Sequence, residues 1–262
     1  MEKSNFNFIV GNKTSKFSID FKEIIESKGI DFLSEGDIEV ELGPKLIRIW
    51  LCDEMNKRKR VIEWFTTEKL LFDKSKGKKG LYGLDDYKKF TTYVLHYVGI
   101  SKKEDSLTRL VIKPHDKRLR ILSNERVFDK LSRLTDEMVL FFFKIEPLEI
   151  SSCGFDEIEK FIKMFSGPKF DEIAIIADAE KAFVKILKTE YNTLKYKSYP
   201  KGEDGLYRSD IDRYGYIIGE DISFITDSGT IKGAFSLYAA IPSDEADLIF
   251  IEGENVEVVK KG

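Results

Sequence analysis

Leu84-Asp85-Asp86-Tyr87-Lys88-Lys89-Phe90 and Phe155-Asp156-Glu157-Ile158-Glu159-Lys160-Phe161 share one pattern: an apolar residue, two acids, an apolar residue, a charge, Lys and Phe. Each run reads as the start of an amphipathic helix, with acids in the first turn where the macrodipole favours negative charge. The first stripe continues through Val94, Tyr97 and Val98 to Gly99, and the second through Ile162 and Phe165 to Gly167-Pro168. A hairpin is expected after each. The first runs from Leu107 to Lys113, turns at Pro114 to Lys117 and returns from Arg118 to Leu122. The second runs from Glu172 to Ala177, turns around Asp178 to Lys181 and returns from Ala182 to Leu187.

The same unit is read at both ends of the chain. Upstream, a helix is predicted from about Ser18 to Lys28, with Ile19, Phe21, Ile24 and Ile25 near one stripe and Gly29 as its stop. The alternating Asp37-Ile38-Glu39-Val40-Glu41-Leu42 then turns at Gly43-Pro44-Lys45 into Leu46 to Leu51. Downstream, a weaker helix near Ser209, with Ile211, Tyr214 and Ile218, precedes strands around Asp221 to Thr226, Gly229 to Ala240 and Ala246 to Glu252. The fold class is therefore α+β, with duplicated helix-plus-antiparallel-hairpin units forming two similar domains. Their boundary is placed in the charged stretch Arg126 to Glu137, giving domains 1–134 and 135–262, with Met138 to Phe143 a buried strand of the second. Residues 53–82 and 188–210 fit as long loops or extra strands, and Gly77, Gly80 and Gly83 among lysines read as a flexible connection.

Composition bounds the function. Apolar residues at 42% and aromatics at 13% of 262 residues supply a core that a disordered chain lacks. With 43 Lys+Arg against 46 Asp+Glu the net charge is −3, so a polyanion partner would have to meet segregated charge. No apolar run approaches the roughly 18 residues of a membrane span, and the N-terminal residues lack a signal-peptide core, so a cytoplasmic location is expected. Cys52 and Cys153 are expected as small buried hydrophobes. His96 and His115 have no second ligand at zinc spacing, and no nucleophile elbow, phosphate loop or dinucleotide fingerprint occurs. Catalytic, metal and cofactor sites are accordingly expected to be absent. One enzymatic alternative stays open: Asp37, Glu39 and Glu41 line one strand face with Lys45 beyond, as in a metal-dependent nuclease, although alternating acids also mark a half-exposed strand. A non-ring binding module built from the same units is the other alternative.

The units together resemble the DNA sliding clamps, ring-shaped polymerase processivity factors, of the bacteriophage and proliferating-cell nuclear antigen type. The similarity is carried by Phe143-Lys144-Ile145-Glu146-Pro147-Leu148-Glu149-Ile150, the 155–167 helix, Phe170 to Leu187, and Leu84 to Leu122. The resemblance implies a homotrimer encircling duplex DNA without reading sequence, tethering a DNA polymerase, served by a clamp loader, and catalysing nothing. It implies DNA-facing Lys22, Lys88, Lys89, Lys160, Lys163 and Arg213, and a partner-peptide pocket with Leu131, Leu134 and Tyr238. It also places such a protein in the host cytoplasm or nucleoid if viral. The basic runs Lys57 to Arg60, Lys74 to Lys79 and Lys117 to Arg120 read as charged turns that stay solvated or touch DNA from loops.

Overall fold

Strand-forming and helix-forming patterns sort this chain into two compact units in a computed structural model. The structure describes residues 3–30, 37–53, 55–101, 108, 116–124, 138–148, 171–209, 211, 213–236 and 242–261. Unit 1 comprises Met1–Thr92 with Glu220–Ile222, and unit 2 comprises Tyr93–Gly219 with Ser223–Gly262. The described residues form four α-helices and four three-stranded sheets, a mixed α and β architecture. No described helix is long and apolar enough to cross a membrane.

In unit 1, β1 (Ser4–Val10) and β2 (Lys13–Ile19) form an antiparallel hairpin. Asp20 then caps α1 (Phe21–Ser27), its side chain accepting from the Glu23 N–H at 3.0 Å. The helix starts later than the sequence reading placed it because Ser18 and Ile19 belong to β2. The alternating acidic stretch and its return form β3 (Ile38–Leu42) and β4 (Leu46–Cys52), with Gly43 to Lys45 as the turn. β5 (Arg58–Thr66) completes that sheet in the order β3-β4-β5. Thr66 caps α2 (Thr67–Ser75), accepting from Lys69 N–H at 3.2 Å, so much of 53–82 is a strand and a helix. Phe8, Phe17, Ile19, Ile24, Ile49, Phe65 and Leu70 build the core, with the Phe8 and Phe90 rings edge to face at 4.8 Å. Cys52 is buried and unpaired, as a small hydrophobe.

The glycine run is not a flexible connection. Gly77, Gly80 and Gly83 all hold left-handed φ angles, and Leu81–Gly83 is a strand, β6, added to β2. A Cβ on Gly83 would stand 2.7 Å from the Lys16 carbonyl oxygen at φ +74°. Gly83→Ala is expected to destabilise unit 1 by about 2 kcal/mol, from a strained φ and a backbone clash. Urea unfolding followed by tryptophan fluorescence measures it, because both tryptophans, Trp50 and Trp64, lie in unit 1.

Elsewhere the units read from the sequence give way. Of the predicted Asp85 to Val98 helix, only a 3₁₀ turn forms, Tyr87–Phe90, followed by β7 (Thr92–Val94) and an extended segment. Consecutive β-branched and aromatic residues, Thr91 to Val94, favour the pleated conformation over the helical stripe. Arg118 to Leu122, read as a strand, belongs to α3 (Asp116–Asn124), where long unbranched side chains and an N-terminal acid suit a helix.

The largest correction is at Glu172 to Leu187, read as a hairpin and found as one helix, α4 (Glu172–Leu187). Asp171 caps it at Ile173 N–H, 2.9 Å, and four alanines carry the helix through the supposed turn at Asp178 to Lys181. Near Ser209 a strand replaces the predicted helix: β8 (Arg213–Tyr216) pairs with β11 (Leu248–Glu252), which pairs with β12 (Asn255–Val259). β9 (Ser223–Thr226) and β10 (Gly229–Lys232) form the predicted later hairpin, with β7 beside β9. Met138 to Phe143 is irregular rather than a strand, its Phe141 ring packing on Tyr93 and Phe224. The 155–167 helix and the connection Arg126 to Glu137 lie outside the described residues; among the described residues, α1 with the β3–β4 hairpin has the predicted helix-plus-hairpin form.

Candidate functional site: a tyrosine and carboxylate cluster on helix α4

The side chains of α4 that the sequence reading assigned to a turn form the densest polar cluster of unit 2. Asp178 is fully buried, and its carboxylate accepts from Tyr199 Oη at 2.7 Å, Tyr216 Oη at 2.9 Å and Leu206 N–H at 2.9 Å. Burial, then the neighbouring Asp178, pushes both phenols far above the usual tyrosine range, so they remain donors at any physiological pH. A Cβ on Gly205 would stand 2.5 Å from Asp178 Oδ1, so a glycine is needed where the loop crosses this carboxylate. Asp178 thereby anchors the loop at 199–206 and strand β8 to the helix.

One position along, Glu180 is half-buried, and its charge is among those felt by the Tyr196 hydroxyl. Burial raises the Tyr196 pKa, and the charges of Glu180 and Asp204 and the Tyr97 phenol raise it further. Lys181 is buried and ion-paired with Asp204. Tyr97 comes from the extended segment after β7. Asn192 holds that segment: Val98 N–H donates to Asn192 Oδ1 at 2.9 Å, and Asn192 Nδ2 donates to the Val98 carbonyl at 2.7 Å. Thr189 Oγ1 donates to the same Oδ1 at 2.6 Å and fixes the amide's orientation. A Cβ on Gly99 would meet the Tyr97 ring at 2.6 Å, so only glycine lets the phenol fold back over the backbone there.

Beyond the last turn of α4 lies a cavity of about 350 Å³ lined by Lys185, Lys188, Lys195 and Lys197. Along the chain, Lys185 stands one helical turn after Lys181, and Lys195 and Lys197 flank Tyr196. Among the described residues, no three His, Cys, Asp or Glu side chains converge on a cation site.

The residues expected to face DNA are scattered. Lys22, exposed on α1, pairs with Glu26 at 3.7 Å; Lys88 and Lys89, on the 3₁₀ turn, pair with Asp221 at 3.6 Å and with Asp86. Arg213 lies on β8 in unit 2, paired with Glu252 at 2.6 Å. Lys160, Lys163, Leu131, Leu134 and Tyr238 lie outside the described residues. Glu39 and Glu41 are engaged across the sheet: Arg58 holds Glu39 at 2.6 Å, and Trp50 Nε1 donates to Glu41 at 2.9 Å. The hydrogen bond from Arg58 holds the Glu39 pKa below the usual range, and that from Trp50 does so for Glu41. From the run Lys74 to Lys79, Lys74, Lys76 and Lys78 pair with Asp85, Glu220 and Glu63.

Comparison with protein-family models, curated proteins and solved structures gives no match. The reading of the α4 cluster therefore stands on its geometry. Two signals in the sequence pointed to it: the alanine-rich stretch from Ala174 to Ala182, which favours one continuous helix, and four lysines between 185 and 197.

Proposed function

We propose that the protein is a phosphoesterase whose reaction centre is the Glu180, Tyr196 and Tyr97 cluster. What supports this is a half-buried carboxylate, Glu180, that acts electrostatically on Tyr196, together with a cavity lined by four lysines of the same helix and the segment after it. The lysines suit a phosphate, and the Glu180 carboxylate suits an attacking water. In the reaction, water attacks phosphorus, a new P–O bond forms and its proton passes to Glu180. The P–O bond to the leaving alcohol breaks, and that oxygen takes a proton from solvent. Asn192, holding Val98, fixes the backbone next to Tyr97. The encircling-clamp expectation is not carried forward, because two of its helix-plus-hairpin units have other secondary structure in the described residues.

The test is hydrolysis of bis-p-nitrophenyl phosphate and of end-labelled DNA and RNA oligonucleotides in Mg²⁺ buffer. Glu180→Gln is expected to lower the rate about a hundredfold or more while leaving the fold intact, the usual scale for losing a general base. Failure of the wild-type chain to cleave any of these, or equal rates for wild type and Glu180→Gln, overturns the reading.

A further inference from the structure

The lysine cavity decides between a small phosphate ester and a polymer. Lys185 and Lys188 alone would be explained by the helix, since cations near a C-terminus complement the macrodipole. Lys195 and Lys197 come from the following segment, where no dipole asks for them, and they face the same cavity. Two of the four ammonium groups are held in place by backbone carbonyls: Lys185 donates to Lys197 O, and Lys195 donates to Thr189 O and, at 3.3 Å, to Glu190 O. An ammonium has three donors, so each retains N–H groups for an anion. The other two, Lys188 and Lys197, are exposed. Among the described residues the lining is all lysine, with no carboxylate and no aromatic face. Charge without a base-stacking surface matches a repeating phosphate backbone rather than a nucleobase or a peptide. Four like charges held together also repel, which costs stability unless an anion enters.

Taking the phosphoesterase reading as premise, we infer that the substrate is a polynucleotide strand, with phosphates flanking the scissile one seated in the cavity of Lys185, Lys188, Lys195 and Lys197. Held through its phosphates, the strand binds independently of sequence and with a strong dependence on salt.

Fluorescence anisotropy of the full chain with a labelled single-stranded oligonucleotide tests this. Lys188→Glu/Lys197→Glu changes only exposed side chains, and circular dichroism confirms its fold. We expect its affinity to fall at least about tenfold, and the dependence of log affinity on log salt to become shallower by about 1.4, the loss of two phosphate contacts. Unchanged affinity and salt slope overturn the inference. So does competition by a mononucleotide or inorganic phosphate as effective, per mole, as competition by the oligonucleotide, or binding to anionic lipid vesicles in preference to it. Glu180→Gln separates the two readings: it should bind the strand normally and not cleave it. A normally cleaving Glu180→Gln with weakened Lys188→Glu/Lys197→Glu sinks the catalytic assignment alone, whereas unchanged binding by the double variant sinks the strand inference whatever Glu180→Gln does.

Discussion

Asp178→Ala is expected to destabilise unit 2 by roughly 4 kcal/mol, leaving three buried donors without their acceptor. Tyr199, Tyr216 and the Leu206 N–H all converge on this one carboxylate, and none of the three residues has ready access to water. Each orphaned group costs about 1–3 kcal/mol, and the total falls short of a simple sum because the loop can relax toward the vacated space. Asp178→Asn keeps one acceptor oxygen, enough for the two phenols that share Oδ2, but sets an NH2 group against the Leu206 N–H that used Oδ1, so it recovers only part of the loss. Hydrogen exchange resolved along the chain is the measurement of choice. Protection should collapse across 172–187, 199–206 and 213–216, while the tryptophan-reported unfolding of unit 1 keeps its midpoint. Protection at wild-type levels in those segments would show that the carboxylate is not the anchor.

Glu63→Gln should be the corresponding lesion in unit 1, costing about 3 kcal/mol. Glu63 is 2% exposed on β5 and receives Lys28 and Lys69, each at 3.1 Å, as well as Lys78 and the Trp64 N–H. Burial alone would raise its pKa; hydrogen bonds from Lys78, Trp64 N–H, Lys69 and Lys28 outweigh burial and bring it down to about 2. Breaking a buried ion pair from one side costs about 3–5 kcal/mol, and the lower end applies because all three lysines reach partly into solvent and Asp73 still pairs with two of them. The sign of the pH effect follows from the depressed pKa. The stabilisation is complete above the unfolded value near 4.5 and is lost as pH falls from there toward about 2. Tryptophan-monitored urea titrations between these limits should show the wild type weakening on acidification and Glu63→Gln staying flatter. Parallel acid limbs for the two proteins would remove Glu63 from the account.

The legible parts of this fold were those in which local pattern and tertiary contact agree. Ile38 to Leu51 alternates, has Gly43-Pro44 at its turn and buries one face, so the hairpin could be read directly. Glu172 to Leu187 could not, because Ile173, Ile175, Val184 and Ile186 satisfy a strand pattern about as well as a helical one. The charged Asp178-Ala179-Glu180-Lys181 looked like a solvated turn for the reason that makes it important: polar residues were assumed to seek water. In the structure Asp178 and Lys181 are buried and Glu180 is half-buried, each with a partner brought from outside the helix. Tyr97 was hidden by a similar coincidence, since its spacing from Phe90 and Val94 fits a helical stripe while its backbone is extended. No periodicity encodes that Asn192 would meet Val98. That pairing exists only once the chain leaving α4 has come back alongside the 95–99 segment.

Asn192 performs there, with one carboxamide, the task an adjoining strand performs elsewhere, offering an acceptor and a donor to a single residue. A strand would register many residues at once, whereas a solitary amide acts as a pivot. The aromatic ring at 97 thus takes its bearings from the segment just past the end of α4.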